Sequence, residues 1–228
     1  MNNSILFDVT AVAWFLFCWI GYAGYASRRA RHVDCLMNAR NAYLNRWMSS
    51  LVNRDVRIAD ATLLRILERN VTFFASTSML ILVGLLSALG YTAELADIIG
   101  NLSFAVQPQG EFLQMKLGLL MISFIYAFFT FTWAMRQFNF SAMMIGGNAM
   151  PGDSEHQRRS DAASSAKVLS LAANSFNMGL RAYYFSLAAL AWFIHPLLFM
   201  FSSVWVVMVL YRREFHSKTL LAMLGKLN

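Results

Sequence analysis

Three stretches of this chain carry apolar side chains around the whole circumference of a helix. They are residues 5–26, ILFDVTAVAWFLFCWIGYAGYA, residues 71–89, VTFFASTSMLILVGLLSAL, and residues 112–135, FLQMKLGLLMISFIYAFFTFTWAM. A helix of about 20 such residues crosses the roughly 30 Å hydrocarbon core of a bilayer. A lone strand would leave its backbone groups unpaired in lipid. The pattern therefore predicts three membrane helices. A fourth apolar stretch, 182–210, holds His195 and Pro196 at its centre. As one helix it is about 43 Å long, more than one crossing needs. As two legs it offers only about 14 residues each, too few for the same thickness. Pro196 lacks a backbone N–H and clashes with the carbonyl four residues back, so the helix at least kinks there. A tight hairpin favours Gly or polar turn residues, and FIHPLLF offers only His and Pro. One long kinked helix is the favoured expectation and a hairpin the alternative, giving four or five crossings.

Between the spans the pattern changes. Leu36, Tyr43, Leu44, Trp47, Met48 and Leu51 recur at helical spacing, with arginines mostly on the other faces. Leu63, Ile66, Leu67, Val71 and Phe74 carry that pattern into the second span. This segment either lies on anionic headgroups or packs in a helical layer outside the membrane. Residues 146–160, GGNAMPGDSEHQRRS, read as a loop. The helical pattern then resumes and leads into the fourth stretch. The fold class is all-α, a polytopic helical membrane protein with a helical cytoplasmic portion at about 27–70 and 136–181. The whole of 1–228 forms one domain.

Composition agrees. Apolar residues make up 58% and charged residues 14% of the 228 positions, against about 45–50% and about 25% in soluble domains. The chain is too short for a core that would absorb that excess. The net charge of +7 raises nucleic acid as a partner. The basic residues flank apolar runs instead, so no nucleic acid is expected and the bilayer is. Arg28, Arg29, Arg31, Arg40, Arg46, Arg54, Arg57, Arg65 and Arg69 all lie between the first two spans. Residues 90–111 contain no Lys or Arg, but Glu94, Asp97 and Glu111. By the positive-inside rule, 27–70 is cytoplasmic and the N-terminus outside. The location expected is the cytoplasmic membrane of a bacterium. A tail containing YRREFHSK would fall outside with four crossings and inside with five. The N-terminus lacks a basic n-region, and the first apolar run is too long for a signal peptide. Cys18 and Cys35 lie in different environments and form no CxxC, so neither a disulfide nor a metal site is expected.

One constellation stands out. Lys167, Ser170, Asn174, Asn177, Arg181, Tyr184, Ala188, Ala191 and His195 follow a 3,4 spacing and share one helical stripe, polar or small throughout. Such stripes form either interhelical seams or the lining of a water-filled path. Asp8, Lys116, Arg181 and His195 are the ionisable groups within or beside the spans. Ser76 and Thr77 are secondary polar candidates. Gly84 and Ala88 form a small-xxx-small pair suited to close helix packing. No HExxH, GxSxG or phosphate-cradling Gly loop occurs, and the spans hold a single carboxylate. No enzyme activity and no cofactor are expected.

The stretches RNVTFFASTSMLILVGLL, MKLGLLMISFIYAFFTFTWAMRQFNF and GLRAYYFSLAALAWFIHPLLFMFSSVWVVMVLYRREF resemble a bacterial and plant membrane family called domain of unknown function 599. The resemblance covers about residues 5–220. It implies an integral membrane protein with several helices and carries no activity, ligand or catalytic residue to transfer. The leading expectation from the residues is a homo-oligomeric channel or transport protein for a small ion or solute. Asn174, Asn177, Arg181, Tyr184 and His195 would line it. The alternative is a non-conducting scaffold or regulator that binds anionic lipid or a partner protein through the basic segment 36–70.

Overall fold

Helices account for nearly all of the computed structural model, which describes residues 2–100, 110–148, 150 and 152–226. In order they are α1 (Asn2–Arg29), α2 (Leu36–Leu51), α3 (Ile58–Gly90), α4 (Thr92–Gly100), α5 (Gly110–Gly147), α6 (Glu155–Leu190), α7 (Pro196–Phe215) and α8 (Lys218–Met223). No strand occurs among the described residues. Part of the 90–111 stretch between the second and third spans forms α4, with Glu94 favourably placed in its first turn. Its remainder, 101–109, lies outside the described residues, as do positions 149 and 151 of the expected 146–160 loop.

Four helices, α1, α3, α5 and α7, contain segments long and apolar enough to cross a membrane. Large side chains on them point away from the protein: Leu80 is 73% exposed, Ile122 68% and Phe201 65%. Exposed apolar area of that extent needs lipid as its solvent. The chain is a multi-pass helical membrane protein.

α5 is central. It packs antiparallel between α3 and α6, as Phe131 shows by meeting Phe74 on α3 and Phe176 on α6. α1 and α7 run parallel to each other, with Phe15 against Phe199 and Tyr25 against Tyr211. α3, α5 and α6 have 33, 38 and 36 residues, which is about 50–57 Å of helix. That exceeds the hydrocarbon thickness by about 20 Å or more. Their surplus gathers at the arginine-rich end, where α2 and α8 complete a layer. Met48 and Leu51 of α2 are fully buried there with Leu64, Phe138, Ile145, Ala162 and Leu169. Of the two readings of the amphipathic segment 36–70, the packed one is found for α2, and the segment is broken at residues 52–57 into α2 and the start of α3.

Polar contacts fix the layer. Asp60, 1% exposed, accepts from Trp47 Nε1 at 2.6 Å and from Arg54 Nη1 at 2.7 Å. Arg57 Nη1 donates to the carbonyls of Ile145 and Asn148 at 3.0 and 3.1 Å. A cation thus closes the C-terminus of α5, where helix carbonyls lack partners.

The stretch 182–210 is not one kinked helix, and that expectation is corrected. α6 tightens into a 3-10 turn at Ala191–Phe193, His195 is extended (φ −157°, ψ 138°), and α7 starts at Pro196. α7 then returns antiparallel along α6, as Arg181 meets Glu214, Tyr184 meets Arg213, and Ser202 Oγ donates to the Ala188 carbonyl at 3.0 Å. Proline forces its predecessor out of the α region and is well suited to the first position of a helix. His195 makes the turn by capping, its Nδ1 accepting from the Leu197 N–H at 3.1 Å. No glycine is needed. The shortage of length also resolves, because the first leg is the end of the 36-residue α6 and not a helix starting at 182.

Candidate functional site

The polar stripe lies on one face of α6, and most of its members meet other helices of the same chain. At the arginine-rich end Ser170 Oγ donates to Asn41 Oδ1 at 2.9 Å, and Asn174 Oδ1 accepts from Arg40. Arg40 also reaches Asn41 Oδ1 at 3.2 Å. These four side chains form the polar joint between α2 and α6. Burial pushes the Arg40 guanidinium down from its ordinary value, with Cys35 opposing.

Further along, Arg181 Nε donates to Glu214 Oε1 at 3.0 Å, and Arg181 Nη2 reaches the same oxygen. Tyr22 Oη donates to the other oxygen, Glu214 Oε2, at 2.7 Å. The guanidinium sits 5.5 Å from the Tyr22 ring centroid. Three helices, α1, α6 and α7, are joined by this triad. Tyr184 Oη accepts from Arg213, whose guanidinium also lies 5.4 Å from the Tyr184 ring centroid. Ala188 faces α7 through its carbonyl, and His195 caps the hairpin turn. Asn177 and Lys167 remain exposed.

The other sequence candidates lie apart from this face. Ser76 is exposed, and Thr77 bonds back to the Phe73 carbonyl at 2.8 Å within α3. Among the described residues a Cβ at Gly84 would meet nothing within 4 Å. The close helix contact is made at Gly179, where a Cβ would fall 2.5 Å from the Phe131 ring. A polar contact from α3 to α6 uses Ser78, fully buried and 2.8 Å from Tyr183 Oη. Each of these is one or two positions from a residue singled out by spacing. Small or polar residues at helical spacing were the available signal, but the rotation of each helix decides which of them face a neighbour.

At the opposite end, Trp192 Nε1 donates to Asp8 Oδ1 at 2.7 Å, and Lys116 Nζ lies 5.6 Å from the Trp192 ring centroid. Both Asp8 and Lys116 are buried. Here a carboxylate, an indole and an ammonium join α1, α5 and the hairpin tip. Among the described residues no group of three or more His, Cys, Asp or Glu side chains could hold a metal ion.

A multi-pass all-α membrane domain with internally paired polar seams is thus the class that fold and site define. Residues 10–219 match the family model described as Protein of unknown function, DUF599, and the chain belongs to that family. No curated protein and no solved structure matches the chain.

Proposed function

We propose that this protein is a non-conducting membrane scaffold or regulator that acts by binding, and not an enzyme. The observation that carries the reading is the use of the α6 stripe. Ser170 and Asn174 are engaged by α2, and Arg181 and Tyr184 by α7. A water-filled path needs polar groups turned toward a lumen, and these are turned toward neighbouring helices instead. The stripe is a seam holding the cytoplasmic layer to the membrane helices.

The binding surface of this reading is the basic end. Arg28, Arg31, Arg46, Arg65 and Arg69 are exposed there, and the four ion pairs seen among described residues use none of them. By the positive-inside rule that end faces the cytoplasm of a bacterial cell, with the N-terminus outside. Five legs then return the C-terminal end to the cytoplasm, so YRREFHSK joins the other basic residues. Such a surface attracts anionic headgroups or an acidic partner at about 1 kcal/mol per nearby cation.

The second reading is a homo-oligomeric channel for a small ion or solute, favoured by the exposure of Asn177. Ion flux into liposomes carrying the purified protein separates the two. Potassium and chloride flux equal to that of empty vesicles is expected. Flux that falls when Asn177 becomes Leu would establish the channel.

A further inference from the structure

Between α1 and α7 runs an apolar groove of about 480 Å³, lined by Phe17, Cys18, Gly21, Val204, Val207 and Met208, with tyrosines toward one end. That volume is within the usual range for small-molecule sites. Its floor is open because Gly21 has no side chain, and a Cβ there would meet nothing within 4 Å. From Phe17 to Tyr25 the groove follows α1 for about 12 Å, close to the depth of one leaflet's hydrocarbon.

The end of the groove is cationic. Tyr25 and Tyr211 line it there, with ring centroids 6.4 Å apart. The Arg29 guanidinium sits 5.7 Å from the Tyr25 centroid and 5.6 Å from those of Tyr211 and Phe215. It donates to Tyr25 Oη, and its Nε is buried with no partner among the described residues. Arg28 ends α1 beside it, and Arg212 and Arg213 lie in the last turn of α7. Among the described residues none of the four is ion-paired to a carboxylate. An aromatic-caged guanidinium with no carboxylate partner among the described residues, at the headgroup level of a chain-length apolar groove, is complementary to a phosphodiester on an acyl chain.

We propose that this groove binds one anionic phospholipid from the surrounding leaflet. Its acyl chain lies over Gly21 between α1 and α7, and its phosphate is held at Arg29 with Arg28 and Arg212 nearby. Every membrane helix touches lipid. The site differs in selecting headgroup charge, which comes from Arg29 held among the groove-end aromatics, with Arg28 and Arg212 in the last turns of the two helices that form the groove. The inference neither needs nor excludes the non-conducting reading, because the groove opens on the outer face of α1 and α7, although Tyr22 lines it and also belongs to the seam.

Native mass spectrometry of the delipidated protein, titrated in parallel with phosphatidylglycerol and phosphatidylcholine of the same chains, tests it. One tightly retained phosphatidylglycerol is expected, bound about tenfold more strongly than phosphatidylcholine. Arg29→Gln should remove that preference. Gly21→Leu should fill the groove and release the lipid with the arginines still present. Arg159→Gln, an exposed arginine of α6 paired with Glu155 and away from the groove, should leave retention unchanged. Thermal unfolding of each variant confirms that it folds. Equal retention of the two lipids would overturn the proposal, as would undiminished retention in folded Gly21→Leu protein. So would a dimer, unaffected by added lipid, that dissociates in Gly21→Leu, because the groove would then hold a second copy of the chain.

Discussion

Trp192 donates its indole N–H to Asp8 across 2.7 Å, tying the hairpin tip to the first helix over 184 residues of sequence. Both side chains are buried, and the indole also stacks on Phe199 at 5.1 Å and 12°. Trp192→Phe keeps an aromatic ring against Phe199 but removes the donor and part of the buried ring volume. Asp8 is then left with an unmet acceptor, at a cost of about 1–3 kcal/mol. Trp192→Ala also loses the packing and should cost about 3–5 kcal/mol. Thermal unfolding in detergent reads both. Equal midpoints for wild type and Trp192→Phe would show that the bond contributes nothing.

The turn at His195–Pro196 determines which side the tail occupies. Reporters inserted after Asp153 and fused after Asn228 should lie on the same side as one inserted in the 30–34 turn. A tag between Phe193 and His195 should be on the other side. A tail reporter opposite to the Asp153 reporter would exclude the hairpin within a membrane and restore a single crossing.

The hydrophobic pattern made three of the four membrane-length helices legible, because a lipid-solvated helix must be apolar on its outer faces whatever it packs against. The fourth was misjudged for a specific reason. Turn residues in soluble hairpins are polar because water surrounds them, whereas here a proline start and an imidazole cap replace glycine. Spacing also placed Ser170, Asn174, Arg181 and Tyr184 on one face correctly, since α6 continues without a break to Leu190. What that face meets was not legible. Arg40 is 134 residues from Asn174, and Glu214 is 33 residues from Arg181. A single sequence has a period but no record of such partners.

At Gly179 the backbone of α6 lies directly against the Phe131 ring of α5. Any side chain there would drive into the Phe131 ring, with a Cβ only 2.5 Å away. Because interiors are close-packed, the helices must part or the ring must move. Gly179→Ala should lower stability by about 1–3 kcal/mol. Adding Phe131→Leu should recover part of that loss by making room, although Phe131→Leu alone is itself destabilising. Thermal midpoints of the four proteins form the test. A double variant no better than the sum of the singles would rule out a clash between these two residues.

The Arg181–Glu214 pair lies between the exposed and buried regimes, its side chains 20% and 23% exposed. Exposed pairs contribute about 0–1 kcal/mol, whereas removing one partner of a buried pair costs about 3–5 kcal/mol. Glu214→Gln should therefore cost about 2 kcal/mol, since it strands a half-buried guanidinium. Tyr22→Phe should cost less, because it removes one hydrogen bond and leaves the ring beneath Arg181 in place. Arg181→Met combined with Glu214→Leu should cost less than the two single changes together, because no charge is then left unpaired between the helices. Unfolding free energies for the four proteins give the coupling directly. Additive losses would mean that water already compensates each charge separately. The seam between α6 and α7 would then depend on its apolar contacts, on Ser202 and on the Tyr184–Arg213 contact.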